Sequence, residues 1–67
     1  MIKVLVNGEE REVPGEVNLR QLLELLSLPA QRIAIELNRE VVSRKYWDTT
    51  PVNENDRIEI VHFVGGG

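Results

Sequence analysis

The segment from Asn18 to Leu26 carries a complete helix signature, and that completeness constrains what the rest of the chain must build. Asn18 stands where an N-cap acceptor is wanted, and Gln21, three residues on, can reach back to complete a capping box. Val17 and Leu22 occupy the two positions of a hydrophobic staple. Leu19, Leu22, Leu23 and Leu26 keep the i, i+3, i+4, i+7 spacing of one buried face. Leu28-Pro29 is expected to close the helix, because proline disfavours helical geometry in the residue before it. A single amphipathic helix cannot cover its own apolar stripe, so a sheet must lie beneath it.

The flanking segments read as that sheet. Ile2, Val4 and Val6 alternate with Lys3 and Leu5, which predicts a strand over Met1 to Val6. Asn7-Gly8 suits a type I′ turn, in which both central residues take positive φ. Glu9 to Val13 is the return strand; its charge fits an edge protected against pairing with other chains, and Pro14-Gly15 ends it. After the helix, Ile33-Ala34-Ile35-Glu36-Leu37 alternates again, Asn38-Arg39-Glu40 reads as a turn, and Val41-Val42 as a short strand. Ser43 is expected to cap one helical turn holding Tyr46 and Trp47. Thr49 to Asp56 reads as loop, with Pro51, Asn53 and Asn55 as its turn residues. The final strand is Arg57 to Val64, with Ile58 and Ile60 on one face and Glu59, Val61 and Phe63 on the other.

The first and last strands are the most apolar and belong in the centre, while the charged second strand belongs at an edge. The expected fold is α+β: a ubiquitin-like β-grasp, with a mixed sheet of four to five strands and one main helix packed on one face. Residues 1–64 form the single domain of this reading, and 65–67 a flexible C-terminal glycine tail. A chain of 67 residues without cysteine must hold together by one compact core and good local signals, with no disulfide to staple it and no thiolate to act as nucleophile.

The formal net charge of −3 and the scattered Lys and Arg residues, paired tightly only at Arg44-Lys45, speak against nucleic acid as a ligand. No stretch approaches the apolar length of a bilayer span, and Lys3 with Asn7-Gly8-Glu9-Glu10 interrupts any leader-like run. No membrane role and a cytoplasmic location are the expectation. Gly65-Gly66-Gly67 follow the final strand directly. Glycine has no Cβ, so three in a row are expected to form a thin thread, able to enter a narrow channel in a partner and present a terminal carboxylate there.

The residues quoted so far, taken in order, resemble the ThiS-type sulfur carrier proteins of thiamine biosynthesis. The resemblance runs from Asn7-Gly8 through the leucine-rich helix, Ile33-Ala34-Ile35-Glu36-Leu37-Asn38, Val41-Val42-Ser43-Arg44 with Trp47, and Asn55-Asp56-Arg57-Ile58-Glu59-Ile60-Val61, to Phe63-Val64-Gly65-Gly66-Gly67. Two departures stand out: the family often has proline at Ser43, and Gly-Asp where this chain has Asn55-Asp56. Serine can also start a helical turn, and asparagine tolerates a left-handed backbone. The resemblance implies a reaction at the carboxylate of Gly67, with Gly65 and Gly66 threading into partners. A ThiF-like activating enzyme would adenylate that carboxylate with ATP. A sulfur donor protein, typically a persulfide, would convert it to a thiocarboxylate. A ThiG-like thiazole synthase would take the sulfur. The chain would have no catalytic residue of its own and bind no cofactor, which accords with its lack of a Gly-rich phosphate loop and of a metal-ligand cluster.

Other residues invite functional readings. Leu5, Val61 and Phe63 fall on the sheet face away from the helix and, if the first and last strands are neighbours, form an apolar docking patch beside the tail. His62, the one histidine, lacks a sequence neighbour to orient it as a general acid or base, and a structural place is favoured. Tyr46 and Trp47 could form a binding platform, although a core role is favoured for Trp47. Glu9, Glu10 and Glu12 suit a solvated edge better than a recognition site for a basic partner. Asn53, Glu54 and Asp56 lack the spacing of a calcium loop. Alternatives to thiazole synthesis are sulfur delivery to molybdopterin or tRNA, a ubiquitin-like protein modifier, and a noncovalent module with inert glycines. The absence of proline from Ile60-Val61-His62-Phe63-Val64 favours the thiamine branch over molybdopterin.

Overall fold

The computed structural model describes residues 1–63. The last strand, expected to run through Phe63 to Val64, ends at His62 among the described residues; Val64 and the expected tail Gly65, Gly66 and Gly67 lie outside them. The elements are β1 (Ile2–Val6), β2 (Glu9–Val13), α1 (Leu19–Leu25), β3 (Ile33–Leu37), β4 (Glu40–Val42), a 3₁₀ helix (Arg44–Thr49) and β5 (Arg57–His62). They form one five-stranded sheet in the order β2-β1-β5-β3-β4. Its β1–β5 pair is parallel, and β1–β2, β3–β4 and β3–β5 are antiparallel. This is the mixed sheet of a ubiquitin-like fold, with β5 at its centre, β1 beside it and the charged β2 at an edge.

The helix begins as its sequence dictates. Gln21 N donates to Asn18 Oδ1 at 2.8 Å and Asn18 N donates to Gln21 Oε1 at 2.9 Å, so two otherwise unsatisfied amides are paired. Leu19, Leu22 and Leu23 are fully buried against Val4, Ile35 and Ile58 in the core. Burial of each such side chain contributes about 1.5–3 kcal/mol. The helix ends before Leu28-Pro29, contrary to expectation. Ser27 takes a left-handed φ of 58°, and its N–H donates to Glu24 O while Leu28 N–H donates to Leu23 O. This is a Schellman closure, which satisfies the last carbonyls without help from proline.

The first strand starts at Ile2 rather than Met1, and the boundaries around β4 also differ from the sequence reading. The turn after β3 contracts to Asn38-Arg39, with φ of 51° and 75°, and Glu40 joins β4 opposite Leu37. Thr49 belongs to the 3₁₀ helix rather than to the loop. Ser43 occupies the cap position of that helix, yet its hydroxyl makes no capping bond; its carbonyl instead accepts from Tyr46 N at 2.9 Å. Trp47 plugs the core at 1% exposure, and its indole N–H donates to Val42 O at 2.9 Å. The Arg44 guanidinium covers its ring at 4.7 Å from the centroid. Tyr46 is exposed, so the aromatic pair is divided between core and surface.

Candidate functional site: strand β5 and the outer sheet face

Strand β5 leads in sequence to the glycines, so the groups that hold it define the site. Two asparagines grip it, one near each end. At the start, Arg57 N donates to Asn38 Oδ1 at 2.9 Å and Asn38 N donates to Arg57 O at 2.7 Å. The Asn38 amide also donates to Asp56 Oδ1 at 3.1 Å. Asp56 is buried, and its other oxygen accepts from Asn53 N at 2.7 Å. Asn55, in the same loop, takes the left-handed φ of 69° that its residue type tolerates. Further along, Ile60 N donates to Asn7 Oδ1 at 2.7 Å and Asn7 Nδ2 donates to Ile60 O at 3.2 Å. The Asn7 side chain thus continues the β1–β5 ladder where β1 has already turned away.

The latter half of β5 is held on its other side by β3, with Ile33 opposite His62, and Phe63 N donates to Arg32 O at 3.0 Å. Sequence reasoning assigned Asn7 and Asn38 to turns alone. Their long-range bonds have no local signature, because the spacings are set by which strand neighbours which.

The register fixes the outer face. Leu5 stands opposite Arg57 across β1–β5. Glu36 stands opposite Glu59 and Ala34 opposite Val61 across β3–β5, while Val41 stands opposite Glu36 across β3–β4. Val61, Phe63 and Val41 are exposed by 53%, 50% and 71%, and Ala34 is half-buried beside Val61. The expected docking trio is therefore split. Val61 and Phe63 belong to one apolar end of the face. Leu5 is half-buried and lies toward the start of β5, with Glu59 between; there it lines a shallow recess with Asn38, Arg39, Asn55 and Arg57. The parallel register is the reason: β1 flanks only the beginning of β5. Val41 and Ala34 take its place: the two-residue turn of the β3–β4 hairpin brings Val41 opposite Glu36, and the β3–β5 register sets Ala34 beside Val61.

His62 lies on the inner face at the rim, exposed, with no side-chain hydrogen bond among the described residues. The acidic edge carries loose surface pairs, Lys3–Glu10 at 3.8 Å and Arg11–Glu9 at 3.4 Å, of little energetic weight. Among the described residues, no group of three His, Cys, Asp or Glu could hold a metal, and no helix is long and apolar enough to cross a membrane.

This chain is similar to a set of known proteins. It is 36% identical to a thiazole synthase of Paramagnetospirillum magneticum over 98% of its own length, and spans only 20% of the length of that synthase. It is 35% identical to the sulfur carrier protein ThiS of Bacillus subtilis over 73% of this chain and 74% of that one. The crystal structure of the thiamine biosynthesis protein ThiS from Geobacter metallireducens superposes with a TM-score of 0.86 at 36% identity, covering 98% of this chain and 100% of that one. The ThiS family profile matches residues 4–67, and with the fold and the β5 arrangement already described, the chain belongs to the ThiS family.

Proposed function

We propose that this protein is a sulfur carrier that delivers sulfur for thiazole formation in thiamine biosynthesis. The observation that carries this reading is the family match, which runs from β1 through the glycines to residue 67. The long thiazole synthase relative, in which a segment like this chain is one fifth of the length, supports a synthase as the sulfur acceptor.

In this reading the Gly67 carboxylate is the reacting group. A carboxylate of ordinary acidity, near pKa of about 3.5, is anionic at neutral pH and is a poor acyl donor until activated. It attacks the α-phosphorus of ATP held by an activating enzyme, forming an acyl adenylate and releasing pyrophosphate. A donor persulfide displaces AMP. A thiol then cleaves the resulting acyl disulfide, leaving the thiocarboxylate and a disulfide between the two thiol partners. The carrier binds no nucleotide itself and acts in the cytoplasm. Gly65 and Gly66 offer no side chain to obstruct a narrow channel. The apolar end of the outer face, with Val61 and Phe63, docks on the partners beside the reacting end.

The test is intact mass after incubation with an activating enzyme, ATP and a persulfide donor. Exchange of one oxygen for sulfur, mapped to Gly67, is the expected result. An unmodified terminus, or an ester or isopeptide to another protein in its place, would refute it. Whether a deletion strain requires thiamine then identifies the acceptor pathway.

A further inference from the structure

In the middle of the outer face, Glu36 and Glu59 are direct partners across the β3–β5 ladder, so both carboxylates project from the same side of the sheet. Side chains opposed in this way have Cβ atoms about 4.5–5.5 Å apart, and like charges there are destabilising. Both glutamates are half-buried; Val41 lies in the same cross-strand row, and Ala34 and Val61 form the next row on that face. No basic side chain among the described residues forms an ion pair with either of them. The ion pairs among the described residues are Lys3–Glu10, Arg11–Glu9 and Arg20–Asp48, and positions 64–67 hold no basic residue. Arg57, two residues along β5 on the same face, forms no ion pair with Glu59.

Resting on the docking face proposed above, we infer that the partner surface covering it presents an arginine or lysine, ringed by apolar side chains, that engages Glu36 and Glu59 together. A purely apolar partner would strip water from two carboxylates and offer nothing in return, which is costly. An acidic partner would be repelled, so the pair also rejects wrong surfaces. A guanidinium fits best, because its planar fork of donors can serve two carboxylates at once. Two carboxylates alone fall short of the oxygen set that a calcium ion needs, which leaves a protein cation as the occupant. The repulsion in the free chain becomes attraction in the complex, giving charge-steered association as well as specificity.

The experiment uses the full chain, the purified activating enzyme of the source organism, and the double variant Glu36→Gln, Glu59→Gln. Binding is measured at low and high salt, and the urea midpoint of the free chain is measured alongside. We expect the variant to bind about tenfold or more weakly at low salt, to lose most of its salt dependence, and to unfold at higher urea than the parent. Unchanged affinity at both salt concentrations would overturn the inference, as would a midpoint that fails to rise. Val61→Asp separates the two proposals. If it abolishes binding while the glutamine variant binds normally, the docking face stands and the basic partner group does not. If neither change affects binding, the docking face itself is wrong.

Discussion

The turns Asn7-Gly8 and Asn38-Arg39 have the same backbone signs and serve the same strand, but they differ in residue and in reach. Each joins its strands through two residues of positive φ, 50° and 84° in the first and 51° and 75° in the second. Each asparagine turns its amide onto β5. Asn38 reaches the carboxylate of the buried Asp56, so it ties β5 to the loop that precedes it. Asn7, exposed like Asn38, turns its side chain only onto the backbone of Ile60. One turn therefore anchors the core end of β5. The other restrains the half of β5 nearest the residues proposed to react. The second position differs as well: glycine accepts the left-handed backbone freely, whereas arginine holds it at a cost.

Removing the asparagine side chains should expose that difference most strongly. Asn38→Ala deletes the acceptor for Arg57 N and leaves a lone pair of buried Asp56 unserved, and it places alanine at positive φ. A loss of about 2–3 kcal/mol is expected, read from the urea midpoint at constant slope. Asn7→Ala also places alanine at positive φ, but it loses two bonds at a solvated site and leaves no buried group unserved, so about 1–2 kcal/mol is expected. If Asn7 restrains the exit of β5, amide exchange at Ile60 and its neighbours should rise more in Asn7→Ala than in Asn38→Ala. Equal exchange in both variants would dissolve the distinction between the two grips.

The same pair of turns explains how much could be read in advance. Asn7-Gly8 announces itself, because glycine is the residue that such a turn favours, and its position set the β1–β2 register. Asn38-Arg39 does not, because arginine at φ 75° is tolerated only under tertiary constraint. The turn was accordingly expected one residue too long, and Val41 was missed as a member of the outer face. The helix start was legible because a capping box is local. The helix end was not, since Ser27 adopts a left-handed conformation that serine does not advertise. Alternation placed Val61 on the outer face correctly, but it cannot say which part of β5 each neighbour flanks. That register decided the fate of Leu5.

Gly8→Ala tests the permissive half of the comparison. A Cβ built there meets nothing within 4 Å, so any cost must come from the backbone at φ 84°. Left-handed geometry costs a non-glycine residue about 1–2 kcal/mol, and alanine recovers about 0.4–1 kcal/mol by restricting the unfolded chain. A net loss of about 1 kcal/mol is expected, with Val6 and Glu9 still paired. A neutral result would mean that the turn relaxes to another type.

Arg39→Gly is the converse change and should have the smallest effect, with the opposite sign. Glycine releases the strain at φ 75° and adds freedom to the unfolded chain, so the net gain is about 0.5–1 kcal/mol, seen as a higher urea midpoint. Nothing in the β3–β4 ladder depends on the arginine side chain, and it forms no ion pair among the described residues. Its side chain lines the recess with Leu5 and Arg57 on the outer face. A stabilised variant that binds the activating enzyme as well as the parent would place Arg39 outside the docking surface. A stabilised variant with weaker binding would extend that surface along β5 to the recess and give the strained turn a purpose its geometry alone does not supply.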